Sequence, residues 1–166
     1  MSPNPQKYEN EKIYHVYHRG GEKRKIFEEE SDNVRFIHDL FEFNDKEPVV
    51  NMDYYSSNYN QQKYMEVGLP YIKSRRKNRR PIIQLLAFCL MPNHFHLLLQ
   101  QEEENGVTMF MRKLGTGYTN YFNKKYKRSG HLFQGKFKAV PVEHDRQLIH
   151  LPYYIHLNPL DLKYPG

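Results

Sequence analysis

The sequence contains one cysteine, Cys89, and no tryptophan. A single cysteine excludes an intramolecular disulfide and any zinc site built on several thiolates. Long hydrophobic runs are also missing. The longest apolar stretch, Ile82 to Met91, is interrupted by Gln84 and falls far short of the roughly 20 residues a membrane helix needs. The opening residues, Met1-Ser2-Pro3-Asn4-Pro5-Gln6-Lys7, lack the hydrophobic core of a secretory signal. No internal repeat is visible. These absences lead us to expect a soluble, reduced, intracellular protein with no membrane role.

Acidic residues are in the minority. Nineteen Asp and Glu stand against 25 Lys and Arg, a net charge of +6, so a polyanionic partner or a polar, basic surface is expected. The 166 residues suit one domain with a core that needs no disulfide staples. Apolar residues make up 39%, too many for a disordered chain. Aromatics are plentiful: 14 Tyr and 10 Phe. A tyrosine can pack at a core edge, stack on a base or act as a nucleophile, and packing accounts for most of the 14.

Patterning predicts an order of elements. Residues 1–10 are polar and Pro-rich, which predicts a loose tail. Ile13-Tyr14-His15-Val16-Tyr17-His18 alternates and is rich in β-branched and aromatic types, which predicts a strand ended by Gly20-Gly21. Ser31-Asp32 offers an N-cap, and Val34, Ile37, Leu40 and Phe41 repeat at helical spacing, predicting a helix to about Asn44. Residues 45–80 have no sustained period and end in Lys73 to Arg80, with six positive charges in eight residues. They are expected to be an irregular basic insertion within a single domain spanning 1–166. Ile82 to Met91 predicts a strand covered on both faces. Pro92-Asn93 marks a turn, and His94 to Leu99 a second strand paired as a hairpin. A helix is expected from Val107 to about Lys127, although Gly115 and Gly117 weaken it. Lys136 to Glu143 predicts a strand, and Asp145 opens a last helix that Pro159 ends near Asn158. The fold class expected is α+β: an antiparallel sheet with helices packed on one face.

Two features carry candidate chemistry. In His94-Phe95-His96 the two imidazoles sit two apart on a strand and so share a face. That is a start for a metal site, though most such pairs are ordinary surface or core histidines, and two ligands do not complete a shell. Tyr154 and Asn158 are four apart and share a helical face. A cation beside Tyr154 could lower its pKa and polarise a phosphodiester; equally, Tyr154 could be a core residue and Asn158 a cap. Tyr153, Tyr118 and Tyr121 are rival tyrosines. Glu143 is either a surface carboxylate or a further partner of the site.

Met91-Pro92-Asn93-His94-Phe95-His96-Leu97-Leu98-Leu99 strongly resembles the histidine motif of single-tyrosine HUH transposases (His, hydrophobic, His). Tyr14 to Gly20 is similar to the first strand of that family, Ser129 to Lys138 to the segment before its last strand, and Tyr154-Ile155-His156-Leu157-Asn158-Pro159 to its nucleophile helix. The branch resembled is that of the REP-associated tyrosine transposases. The resemblance implies a ferredoxin-like fold and a divalent-metal site, Mg²⁺ or Mn²⁺, made by His94, His96 and Asn158. It implies Tyr154 as the nucleophile that attacks single-stranded DNA, leaving a 5′-phosphotyrosine and a free 3′-hydroxyl. Hairpin-forming DNA is the implied partner. Arg19, Lys124, Lys125, Lys127, Arg128, His131, Phe133, Gln134, Lys136 and Lys138 are the expected contacts. A monomer or homodimer in the bacterial cytoplasm, associated with the nucleoid, completes the expectation. Two other readings stay open: a transposase derivative that binds structured nucleic acid without cutting it, and a metal-dependent hydrolase of small phosphoesters.

Overall fold

The computed structural model describes residues 7–47 and 79–157. Among them the order is β1 (Ile13–Arg19), a 3₁₀ turn (Gly21–Lys23), α1 (Glu30–Glu42), β2 (Ile83–Met91), β3 (His94–Gln101), α2 (Gly106–Lys125), β4 (Lys138–Pro141) and α3 (Asp145–Leu157). The four strands form one antiparallel sheet in the order β2-β3-β1-β4. The α+β class is therefore as expected. β3 lies inside the sheet, and Pro92-Asn93 makes the two-residue turn that joins it to β2, with Met91 opposite His94.

Strand alternation sorts the side chains into two layers. Phe95, Leu97 and Leu99 of β3, with Tyr14 and Val16 of β1, point into the main core. There they meet Phe36 and Leu40 of α1 and Val107, Phe110, Leu114, Tyr118 and Phe122 of α2. The opposite face carries His94, His96 and Leu98. A smaller cluster forms on it from Ala87, Cys89, Met91, Leu98 and Ile155. Two helices thus cover one face of the sheet and α3 covers part of the other, a division that the expectation of helices on one face did not contain. The extra residue Leu86 bulges out of β2, where the register shifts between Leu85 and Ala87.

The first helix differs from its expected face. Val34 and Ile37 are 36% and 44% exposed, and the buried side chains are Asp32, Phe36, Asp39 and Leu40. Asp32 is not the N-cap but the third helical residue. Its Oδ2 accepts the backbone N–H groups of Glu28 and Glu29 at 2.9 and 3.1 Å, closing the helix start as a capping box does. A buried carboxylate needs further partners. Asp32 receives them from α2 and beyond: Lys125 Nζ at 2.7 Å, Tyr121 Oη at 2.9 Å and Tyr126 Oη at 2.6 Å.

The expected insertion lies mostly outside the described residues, as does the basic run except for Arg79 and Arg80. Its two ends meet. Lys46 N–H donates to the Arg80 carbonyl at 3.0 Å, and Arg80 pairs with Glu47. Arg79 stacks over the Phe41 ring at 3.5 Å. The side chain of Asn44 holds the start of β2 by accepting from Ile82 and Ile83 N–H and donating to the Ile83 carbonyl.

Candidate active site

The site is built on the sheet face opposite the main core. β3 presents His94 and His96 there. β1 runs antiparallel beside it, with Arg19 opposite His94 and Tyr17 opposite His96. Because His15 sits two residues before Tyr17, it shares that face. The result is three histidines in one patch. The rings of His94 and His96 lie 5.0 Å apart at 82°, and those of His15 and His96 lie 5.0 Å apart and stacked at 21°. His15 Nε2 and His96 Nδ1 are 2.9 Å apart, and His94 Nδ1 lies 2.7 Å from Asn93 Oδ1.

Burial keeps these rings neutral, because water no longer solvates the imidazolium. It lowers the pKa of His15. It lowers that of His94, with the neighbouring Arg19 charge acting in the same direction. His96 is pushed down to about 4, first by burial and then by His15 and His94. Neutral imidazole is the ligand form of histidine. Cys89, opposite His96 on β2, is buried, and burial pushes its thiol up; it packs in the apolar cluster.

The last helix brings the tyrosine. Ile155 is fully buried against Ala87, Cys89, Met91 and Leu98 and anchors α3 to the sheet. Its neighbour Tyr154 is thereby held over the histidines, edge-on to His96 at 6.1 Å and to His15 at 6.4 Å between ring centroids. Tyr154 stays 54% exposed and open to a substrate. Pro152 lies inside α3. The rivals separate cleanly. Tyr153 is 67% exposed. Tyr118 is buried, donating its hydroxyl to the Ile26 carbonyl at 2.6 Å, and Tyr121 is bound to Asp32. Asn158 lies outside the described residues. Among the described residues no group of three His, Cys, Asp or Glu forms a metal-binding cluster.

The expected nucleic-acid contacts divide. Arg19 is exposed and donates from Nε and Nη2 to Gln134 Oε1 at 3.2 and 2.8 Å, beside His94. Lys138 lies opposite Tyr17 on β4, its ammonium 6.0 Å from the Tyr17 ring. Lys124, Lys127, His131 and Lys136 are exposed. Lys125 instead pairs with Asp32 and Glu29, and Arg128 lies over Phe122. Phe133 stacks on His18 at 4.6 Å and meets Phe95 edge-on, so its ring is spent on packing. Glu143 is exposed just before α3, its N–H donating to Gln147 Oε1. Sequence reasoning missed His15 and Asn93 as neighbours of the histidine pair. The period of β1 signalled the face of His15, but its partner depended on the register of two strands 81 residues apart.

Residues 49–158 match the family described as "Transposase IS200 like". The chain belongs to the IS200-like transposase family. Among solved structures, this IS200-like chain is similar to a REP-associated tyrosine transposase bound to a REP hairpin. That likeness has 13% identity and a TM-score of 0.59, over 97% of this chain and 74% of the other. At such identity the match speaks for the fold. A candidate transposase from Deinococcus radiodurans R1 is similar at 12% identity and a TM-score of 0.47, over 94% of each chain. No curated protein matches. Among the described residues of this family member, no helix is long and apolar enough to cross a membrane.

Proposed function

We propose that this IS200-like transposase nicks and rejoins single-stranded DNA through Tyr154, acting in DNA transposition or on REP-like hairpins. The observation that carries the reading is the placement of an accessible tyrosine edge-on to His96, whose ring adjoins that of His94. In the step proposed, Tyr154 Oη forms a bond to phosphorus while the bond from phosphorus to the 3′-oxygen breaks. The phenolic proton leaves to solvent, and the 3′-oxygen takes one up as a hydroxyl. The product is a 5′-phosphotyrosine, which conserves the bond energy for rejoining. Holding Tyr154 on a helix pinned by Ile155 removes the orientational cost of that attack.

The donor set fits a divalent metal, because two imidazoles held neutral by burial share one rigid strand. His94 and His96 would hold it, with Asn158 as the third ligand. When bound, Mg²⁺ or Mn²⁺ supplies Lewis-acid polarisation of a non-bridging phosphate oxygen. For the nucleic acid, Arg19, Lys124, Lys127, His131, Gln134, Lys136 and Lys138 remain the proposed contacts. Lys125, Arg128 and Phe133 already serve internal packing.

The test uses hairpin-forming single-stranded DNA with Mn²⁺. The wild type is expected to give a denaturant-stable protein–DNA adduct. Tyr154→Phe should lose the adduct and keep hairpin binding, and EDTA should do the same to the wild type. An adduct retained by Tyr154→Phe would defeat the assignment. Tight hairpin binding that survives chelation, with no adduct on any substrate, would favour the non-cutting derivative.

A further inference from the structure

Two polar side chains that the proposed chemistry does not use lie within hydrogen-bond distance of the rings of His94 and His96. Each touches the same ring position. Asn93 Oδ1 lies against His94 Nδ1, and His15 Nε2 lies against His96 Nδ1. We propose that Asn93 and His15 are positioning residues that fix both histidines in the tautomer with hydrogen on Nδ1, leaving both Nε2 atoms bare for a divalent metal. The inference rests on the metal-site reading above.

The chemistry of each contact gives the direction. A carboxamide oxygen only accepts, so at 2.7 Å His94 Nδ1 must be the donor. The amide is oriented by its other end, since Asn93 Nδ2 donates to the Lys23 carbonyl at 3.4 Å. Asn93 itself is held in the hairpin turn by Gly20, whose N–H donates to the Asn93 carbonyl at 2.8 Å. At His96 one hydrogen lies between two ring nitrogens. If His15 donated it, His96 would carry its own hydrogen on Nε2 and be closed to a metal. If His96 donates, its Nε2 is bare, and His15 keeps its hydrogen on Nδ1. A metal-ligating histidine donates its remaining ring N–H to an acceptor that fixes the ring. His15 is placed to be that acceptor. Its seat is rigid, because β1 pairs with β3 along the whole strand and the two rings stack at 21°.

The experiment uses the full chain with ¹⁵N-labelled histidine at pH 8, free of metal, followed by Mn²⁺ titration by calorimetry. Ring spectra of the wild type should show His94 and His96 protonated on Nδ1. His15→Ala and Asn93→Ala should each weaken Mn²⁺ binding by about 10–100-fold. His15→Gln, which restores an acceptor oxygen, should recover most of the loss, which a purely packing role would not do. A His96 ring protonated on Nε2 in the wild type would overturn the proposal, as would unchanged Mn²⁺ affinity in His15→Ala. Wild type that binds no Mn²⁺ would defeat the metal reading separately, and the ring spectra would still decide the tautomer. Those spectra come from the wild type, so they also decide it should a variant fail to fold.

Discussion

His96 is buried yet ionisable, and this sets a sign on the pH dependence of stability. Its pKa is pushed down from 6.5 to about 4 by burial and by His15 and His94. Between those values the unfolded chain binds a proton that the folded ring refuses, so stability falls as pH drops from 6.5 towards 4. Asp39 acts oppositely. Burial outweighs its Arg35 partner and pushes its carboxyl up to about 7, so the folded state gains stability on acidification from 7 towards 3.8. Comparison with His96→Asn cancels Asp39, which both chains contain. With EDTA present, the wild type should lose more unfolding free energy than His96→Asn between pH 6.5 and 4.5, as read by urea denaturation. Equal losses would mean that His96 is not held neutral by the fold.

The two glycines of α2 are unlike. Both weaken the helix as a pattern, yet only one is needed. A Cβ at Gly117 would run into the ring of Phe43, which is buried after α1. Nothing lies within 4 Å of a Cβ at Gly115. Gly115→Ala should therefore stabilise by about 0.5–1 kcal/mol, from backbone entropy alone. Gly117→Ala should destabilise by about 1–3 kcal/mol, because the α1–α2 packing must open. Thermal and urea unfolding of the two variants checks the contrast, and a stabilised Gly117→Ala would refute the close approach. Asp32 holds the same two elements at their other end, tying the start of α1 to Lys125, Tyr121 and Tyr126. This is why Lys125, which looks in sequence like one more surface lysine, belongs to the fold.

At the scale of the molecule, the sheet separates stability from chemistry. The main core lies under α1 and α2, and the site lies on the other face under α3. Under the proposed function, the net charge of +6 serves to steer the nucleic acid. Each phosphate contact should add about 0.7–0.9 to the slope of log affinity against log salt. Lys127 and Lys136 are exposed and flank the segment that Arg19 and Gln134 pin beside His94. Replacing both by alanine should lower that slope by about 1.5, measured as hairpin binding across salt concentrations, and leave the apparent melting temperature unchanged. An unaltered slope would place the nucleic acid elsewhere.

The α+β class, the hairpin around Pro92-Asn93 and the shared face of His94 and His96 were legible in the chain itself. They follow from local rules: alternation along a strand, a two-residue turn, and the period of a helix. The spacing of Tyr154 to Asn158 was equally local, but the histidines it meets, His96 and His15, lie on two other elements, and only the burial of Ile155 against β2 and β3 brings Tyr154 to them. The buried face of α1 was misjudged because Val34 and Ile37 satisfy helical spacing as well as Phe36 and Leu40 do, and neighbours in α2 decide which stripe is covered. His15 and Lys125 could not have been sorted from other histidines and lysines. What each does is set by the residue opposite it, and that depends on strand register and helix packing across long stretches of chain.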